Sequence, residues 1–231
     1  MLEFVSSETN AMPTPTEPTT GSRPNPGAID PLVRALMLRG TIRTFARNAI
    51  VISEGDVGDS LYVLTRGSVK VFCSDVEGHE LTYGIISTGD YFGEMSLDGG
   101  PRSASVMALE ACTCAVIPGA EVKKYMLQVP AFALALLTQV IHRARTATDA
   151  ARGMALLDVY GRVIWFLESV RGAGDPGEPV EIQPLTHQDI ASRVGASREM
   201  VSRLLKDLEK GGYITLGVKR VTLLKKLPTH W

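Results

Sequence analysis

Residues 92–104, FGEMSLDGGPRSA, bring together four residues able to do chemistry as a set: Gly93, Glu94, Arg102 and Ser103. Gly93 has no side chain, so a ligand can approach its backbone closely. Residues 94–97 read as one short helical turn, and the first N–H groups of such a turn lack intrahelical partners. Gly93, Glu94, Met95 and Ser96 thus offer an anion site. Arg102 can hold a phosphate with two parallel N–H donors, and Ser103 adds a hydroxyl. Glu94 is the discordant member. A carboxylate beside an anion site is costly unless it accepts hydrogen bonds, and a ribose 2′-hydroxyl would donate one. Phosphate plus ribose hydroxyl in one small cradle points to a cyclic nucleotide. Gly-Glu or Arg102 alone would read as a β-turn with a surface arginine; the combination carries the reading.

A second set of residues points to nucleic acid. Thr186, His187, Gln188 and Asp189 have the form of a capping box opening a helix through Ile190, Ala191 and Val194. Gly195-Ala196 makes a tight turn. Ser197 then caps a second helix, from Arg198 to Lys210, closed by Gly211 and Gly212. Val201, Leu204, Leu205 and Leu208 fall on its inner face. Arg198, Glu199, Ser202, Arg203 and Lys206 fall on its outer face. Residues 214–216 and 221–224, with Gly217 between them and Lys219 and Arg220 near the turn, read as a hairpin. Helix, turn, helix and hairpin together make a winged helix-turn-helix. A lone amphipathic helix with solvated charges would be the plainer reading, but caps, glycine turn and wing count against it. The net charge is only −1, yet residues 181–231 hold nine Lys/Arg against five Asp/Glu, a basic end suited to phosphates.

These residues need elements to position them. The 231 residues, 45% apolar and 21% charged, suffice for two modest globular domains. Residues 1–28 are rich in Pro, Thr and Ser and read as a disordered tail. Residues 29–46 read as one or two short helices, started by Asp30 and Pro31. Between residues 50 and 118 short apolar alternations are broken by glycine. Residues 61–65 and 68–72 read as two strands around a tight turn at Arg66-Gly67, and Glu77-Gly78 marks another turn before a strand over 81–86. Strands also follow the cassette, over 105–110 and 113–117, so the whole suggests a jelly roll or barrel. Residues 131–155 read as one long helix. Leu134, Leu137, Ile141, Ala144, Thr148, Ala151 and Ala155 step by three and four, the seam of a two-chain coiled coil. Asp158 caps a further helix striped by Val159, Val163, Phe166, Leu167 and Val170, so residues 157–158 form the expected hinge. Residues 172–179 read as a loop.

The cassette resembles the phosphate-binding cassette of the cyclic-nucleotide-binding fold, and residues 54–71 fit that fold's opening hairpins. The loop between Gly93 and Arg102 is one or two residues shorter than is usual there. With the long helix and the winged helix, the chain resembles the cyclic-AMP receptor protein / fumarate-nitrate reductase regulator family of bacterial transcription factors. The resemblance implies an α+β architecture. A cyclic-nucleotide-binding jelly-roll domain would span 29–130, a dimerisation helix and hinge 131–156, and a winged helix-turn-helix 157–231.

The family's Arg-Glu-x-x-x-Arg pattern falls on Arg198, Glu199 and Arg203. By that match both arginines would donate to guanine, Glu199 would accept from a cytosine amino group, and Ser197 would hold a phosphate. Thr186, Gln188, Ser202 and Lys206 complete the expected DNA-binding set. The implied target is double-stranded DNA carrying a TGTGA-like half-site repeated as a palindrome, bound by a homodimer that works with RNA polymerase. Where the family has a Thr-Ser pair against the adenine amino group, this chain has Ala147 and Thr148. One hydroxyl is lost, so cyclic-AMP and cyclic di-GMP both stay open as effector, as does a regulator needing neither.

Other classes fit less well. No nucleophile–base pair, paired carboxylates or metal motif suggests an enzyme. A kinase regulatory domain would carry no winged helix, an iron–sulfur sensor needs an N-terminal cysteine cluster, and a haem sensor would have only Cys73 and His79 to offer. His79, His142, His187 and His230 show no metal spacing. Cys73, Cys112 and Cys114 are too few for a disulfide framework and suit a reducing cytoplasm. Cys112 and Cys114 should share a buried strand face. No apolar run is long enough to cross a membrane, and the first residues, MLEFV, do not form a secretory signal.

Overall fold

The computed structural model describes residues 28–171 and 178–228. The tail read over 1–28, except its last residue, and most of the loop read over 172–179 lie outside the described residues.

Helix α1 (Pro31–Met37) opens with Asp30, whose carboxylate accepts from the Leu32 N–H at 2.7 Å, and with Pro31 in the first turn. The expected helix does not run on to residue 46. The chain turns at Gly40 into strand β1 (Thr41–Phe45), which pairs antiparallel with a later strand. β-branched and aromatic residues fill this segment, and a sheet partner some 70 residues away fixes it as strand.

Two four-stranded antiparallel sheets follow. One has the order β1, β8 (Cys112–Ile117), β3 (Leu61–Arg66), β6 (Tyr91–Phe92); the other has β2 (Ile50–Ile52), β7 (Ser105–Ala108), β4 (Ser68–Ser74), β5 (Glu80–Ser87). Strands β3 and β4 flank the expected turn at Gly67 (φ 90°) but do not pair with each other. The turn carries the chain from one sheet to the other, as in a jelly roll, and of these eight strands only β4 and β5 form a local hairpin.

Alternation along the strands explains the layering. Leu64, Phe92, Cys112 and Cys114 point between the sheets with Val69, Val106 and Ala108. Leu61, Val63, Tyr91, Ala115 and Ile117 point outward, under α1, α2 (Gly119–Gln128) and the start of α3 (Pro130–Leu156). The two cysteines share the buried face as expected, and burial pushes the Cys114 thiol up to about 12.

Helix α3 turns through 118° from α2 and runs for 27 residues, roughly 40 Å at 1.5 Å per residue. Phe132 and Leu136 bury one face against the β domain. The stripe from Leu134 to Ala151 lies on another face and is exposed, at 65% for Leu134, 54% for Leu137 and 44% for Ile141. After the extended Leu157, Asp158 accepts from the Gly161 N–H at 2.7 Å as α4 (Val159–Arg171) begins.

The C-terminal unit packs α4, α5 (His187–Val194) and α6 (Arg198–Lys210) on a three-stranded sheet of order β10 (Ile214–Gly217), β11 (Arg220–Leu223), β9 (Val180–Ile182). Its core gathers Val163, Leu167, Ile190, Val194, Val201, Leu205 and Leu208. No single helix among the described residues is long and apolar enough to cross a membrane.

Candidate effector site and nucleic-acid interface

Gly93 stands at φ 85°, where a side chain is strained. A Cβ there would also lie 2.8 Å from the Ser60 carbonyl oxygen and 2.9 Å from an Arg102 terminal nitrogen. The expected helical turn is present as a 3-10 helix, Glu94–Asp98, ended by Gly99 at φ 98°. Asp98 accepts from the Gly100 N–H at 2.9 Å, and the buried Ser96 hydroxyl donates to the Pro101 carbonyl at 3.4 Å. These contacts close the short loop and deliver Arg102 back beneath Gly93.

Arg102 is only 6% exposed. Its guanidinium donates to the Gly93 carbonyl at 2.9 Å and to the Ser60 carbonyl at 3.0 Å. Two of the five N–H donors of an arginine are thereby fixed, which orients the others. Ser103 is exposed, with its hydroxyl 3.4 Å from the Met95 sulfur.

Glu94 has a partner that sequence reasoning missed. Arg143, on α3, meets Glu94 Oε1 at 2.5 Å and donates to the Tyr91 carbonyl at 2.6 Å. The Glu94 side chain is 3% exposed, and its Oε2 is buried with no hydrogen-bond partner. A buried carboxylate oxygen left open is an acceptor waiting for a donor. The signal lay in the helix: Arg143 follows the inward-facing Leu136 by seven residues and so shares its face. Ala147, four residues on, lies on that face too. Thr148 sits on the exposed stripe, its hydroxyl donating to the Ala144 carbonyl at 3.0 Å.

In the C-terminal unit the capping box is complete. The Thr186 N–H donates to Asp189 Oδ2 at 2.8 Å, and the Asp189 N–H donates to Thr186 Oγ1 at 3.1 Å. The Thr186 hydroxyl proton is itself given to Asp189 at 2.6 Å, so this residue reinforces the cap rather than reaching outward. Gly195 takes φ 60° in the turn, and Ser197 Oγ accepts from the Met200 N–H at 3.2 Å. Arg198, Glu199, Arg203, Lys206 and Gln188 are exposed; Ser202 is half-buried, its Oγ 2.8 Å from His187 Nδ1. At the wing, Lys219 occupies the hairpin turn at φ 51°, while Arg220 pairs with Glu181 at 3.2 Å.

The two units touch. The Thr82 hydroxyl of β5 donates to Ser192 of α5 at 3.2 Å in a buried contact. Arg162 of α4 ties the break between α3 and α4 to the helix-turn-helix, donating to the Leu157 carbonyl at 2.9 Å, to Val194 at 2.7 Å and to Gly195 at 3.4 Å.

The histidines show no metal-ligand spacing along the sequence. The β4–β5 hairpin nevertheless brings Asp75, Glu77 and His79 together at its tip, all exposed. Asp75 accepts from the His79 ring at 2.9 Å, which holds the His79 pKa above its ordinary value. This local pairing accounts for the group as a hairpin clasp.

A β sandwich with this cassette, joined through a long helix to a winged helix-turn-helix, defines a transcription regulator with a ligand-sensing domain. Residues 42–128 match the family model for the cyclic nucleotide-binding domain, and residues 161–227 match that for the Crp-like helix-turn-helix domain. The chain is 30% identical over 198 residues to the cAMP-activated global transcriptional regulator CRP of Salmonella typhimurium, covering 84% of this chain and 94% of that protein. It is 34% identical over 179 residues to the cAMP-activated regulator Vfr of Pseudomonas aeruginosa, covering 74% and 84%. Among solved structures, the c-di-GMP responsive global regulator CLP of Xanthomonas campestris superposes with a TM-score of 0.70 at 25% identity, over 83% of this chain and 97% of that one. The chain therefore belongs to the cyclic-AMP receptor protein / fumarate-nitrate reductase regulator family of bacterial transcription regulators, with that family's cyclic nucleotide-binding and DNA-binding domains.

Proposed function

We propose that the chain works as a homodimer whose affinity for a TGTGA-like palindrome is set by a cyclic nucleotide bound at the 3-10 helix. The observation that carries this reading is the buried, open Oε2 of Glu94, whose other oxygen is held by Arg143 of α3. A ribose hydroxyl at Oε2 would complete the carboxylate. The cyclic phosphate would lie against the N–H groups of residues 93–96, Arg102 and Ser103.

The base would then extend along α3. Thr148 lies five residues beyond Arg143, about 7.5 Å along the axis. Its hydroxyl proton is given to Ala144, which leaves an oxygen lone pair to accept from a base amino group. Cyclic-AMP presents such a group. Cyclic di-GMP is the rival reading, favoured by Ala147, which offers the base no hydrogen bond, and by the likeness to a c-di-GMP responsive regulator.

Leu134, Leu137, Ile141, Ala144, Thr148 and Ala151 would pair with the same stripe of a second copy, burying apolar surface that one protomer leaves exposed. Effector binding would shift α3 through Arg143, and Arg162 would pass the shift at Leu157 to the turn between α5 and α6. In the dimer two α6 helices would enter successive major grooves about 34 Å apart. Arg198 and Arg203 would face guanines, Glu199 a cytosine, and Ser197, Gln188 and Lys206 the backbone. The bound dimer would then act with RNA polymerase, in the cytoplasm.

The test is calorimetric titration of cyclic-AMP, cyclic-GMP and cyclic di-GMP into wild type and Arg102→Ala. Micromolar binding of one nucleotide, lost in the variant, supports the site. Binding that survives the substitution places the effector elsewhere, and no binding of any refutes the reading.

A further inference from the structure

His187 is the first residue of α5, on the side of the helix-turn-helix that carries the outer face of α6. Its Nδ1 lies 2.8 Å from the Ser202 hydroxyl, and Ser202 sits between Arg198 and Lys206 on the face read as DNA-contacting. This ring is the one titratable group in that contact, and it bridges both helices.

Its surroundings disfavour the charged ring in the free protein. Burial, then Arg198, then Lys206 push the His187 pKa below its ordinary value. The positive end of α5 acts in the same direction. On its own helix, Asp189 is engaged by the Thr186 amide and hydroxyl, and Gln188 is uncharged. The other elements packed on α5 meet it further along: α4 sends Arg162 to Val194 and Gly195, and β5 brings the Thr82 hydroxyl to Ser192.

A neutral imidazole has one acceptor nitrogen, and when that is Nδ1 the Ser202 hydroxyl gives its proton to the ring. A protonated ring must instead donate from Nδ1, so Ser202 becomes the acceptor and its own proton is free to turn outward. DNA phosphates against this face would offset Arg198 and Lys206 and favour the charged ring.

We propose that His187 takes up a proton when α6 engages DNA, turning the Ser202 hydroxyl toward the nucleic acid, so that DNA affinity rises as pH falls. This rests on the DNA-binding reading of α6. The sign follows from linkage: the bound state holds more protons than the free state between the free and bound titration points. Affinity is therefore flat above the bound point, strengthens through the interval, and levels below the free point. Full uptake at one ring changes the association constant about tenfold per pH unit.

The experiment measures fluorescence anisotropy of the full-length protein on a TGTGA palindrome from about pH 5.5 to 8.5, with wild type, His187→Gln and His187→Arg. A histidine side-chain NMR titration with and without DNA is run in parallel. The expected result is a pH slope in wild type that is lost in both variants, with His187→Arg the tighter of the two, and a His187 titration that moves up on DNA. Equal slopes in wild type and His187→Gln, or a titration that stays or moves down, overturn the inference. Absence of DNA binding at every pH refutes the DNA-binding reading itself.

Discussion

The Glu94–Arg143 pair makes the sharpest prediction about how the sensing domain is tied to α3. In Arg143→Ala the Glu94 carboxylate, 3% exposed and already open at Oε2, loses its cationic partner, and the Tyr91 carbonyl loses a donor. Breaking a fully buried pair costs about 3–5 kcal/mol. The Arg143 side chain is 31% exposed, so water and salt screen part of that, and about 2–3 kcal/mol is the expected loss. For a chain of this size that lowers Tm by roughly 4–12 °C. Glu94→Gln removes the charge that needs Arg143, so adding it to Arg143→Ala should recover part of the loss. Urea unfolding of wild type, both single variants and the double variant gives a coupling energy, expected at about 1.5 kcal/mol or more. Additivity within about 0.5 kcal/mol would show that the two side chains do not depend on one another, and the path from cassette to α3 would lose its first link.

Gly93→Ala should abolish effector binding in calorimetry, because the φ of 85° costs a side chain about 1–2 kcal/mol and its Cβ would press on the Ser60 carbonyl; wild-type affinity would refute the cradle. Ile141→Asp should leave a folded monomer by sedimentation, since Ile141 is 44% exposed in the protomer and its loss matters only between copies; a dimer of unchanged affinity would move the interface off this stripe. Arg203→Ala should cost about 1–3 kcal/mol at the palindrome with little change on random DNA, whereas Lys206→Ala should weaken both alike and reduce the salt slope by about one. Equal losses at both DNAs for both variants would contradict these roles.

What the sequence made legible was local. The caps at Asp30, Asp158, Thr186 and Ser197 lie within three residues of the groups they satisfy, and each is present. Gly93 and Gly195 mark positive φ in motifs of fixed spacing. Long-range features were harder to read. The segment at β1 looks helical by continuity with α1, and only β8 makes it a strand. Strands β3 and β4 look like a hairpin because two strands flank one glycine, yet their partners lie in different sheets. Helix α2 went unread because Pro118 and Gly119 punctuate its start like a loop, although Val122, Tyr125 and Met126 keep helical spacing. Strand β9 is three residues long and exists through its pairing with β11. Arg143 was hidden for the same reason, since its partner Glu94 lies 49 residues earlier in the chain.

The most direct test of the account is DNA affinity with and without the effector, measured on the full-length protein with a palindromic duplex at fixed pH and salt. The account predicts that a saturating cyclic nucleotide changes Kd by about 5- to 150-fold, and that saturating DNA changes nucleotide affinity by the same factor. An unchanged Kd at saturating nucleotide would contradict it, leaving the cassette and the winged helix as two sites without a connection.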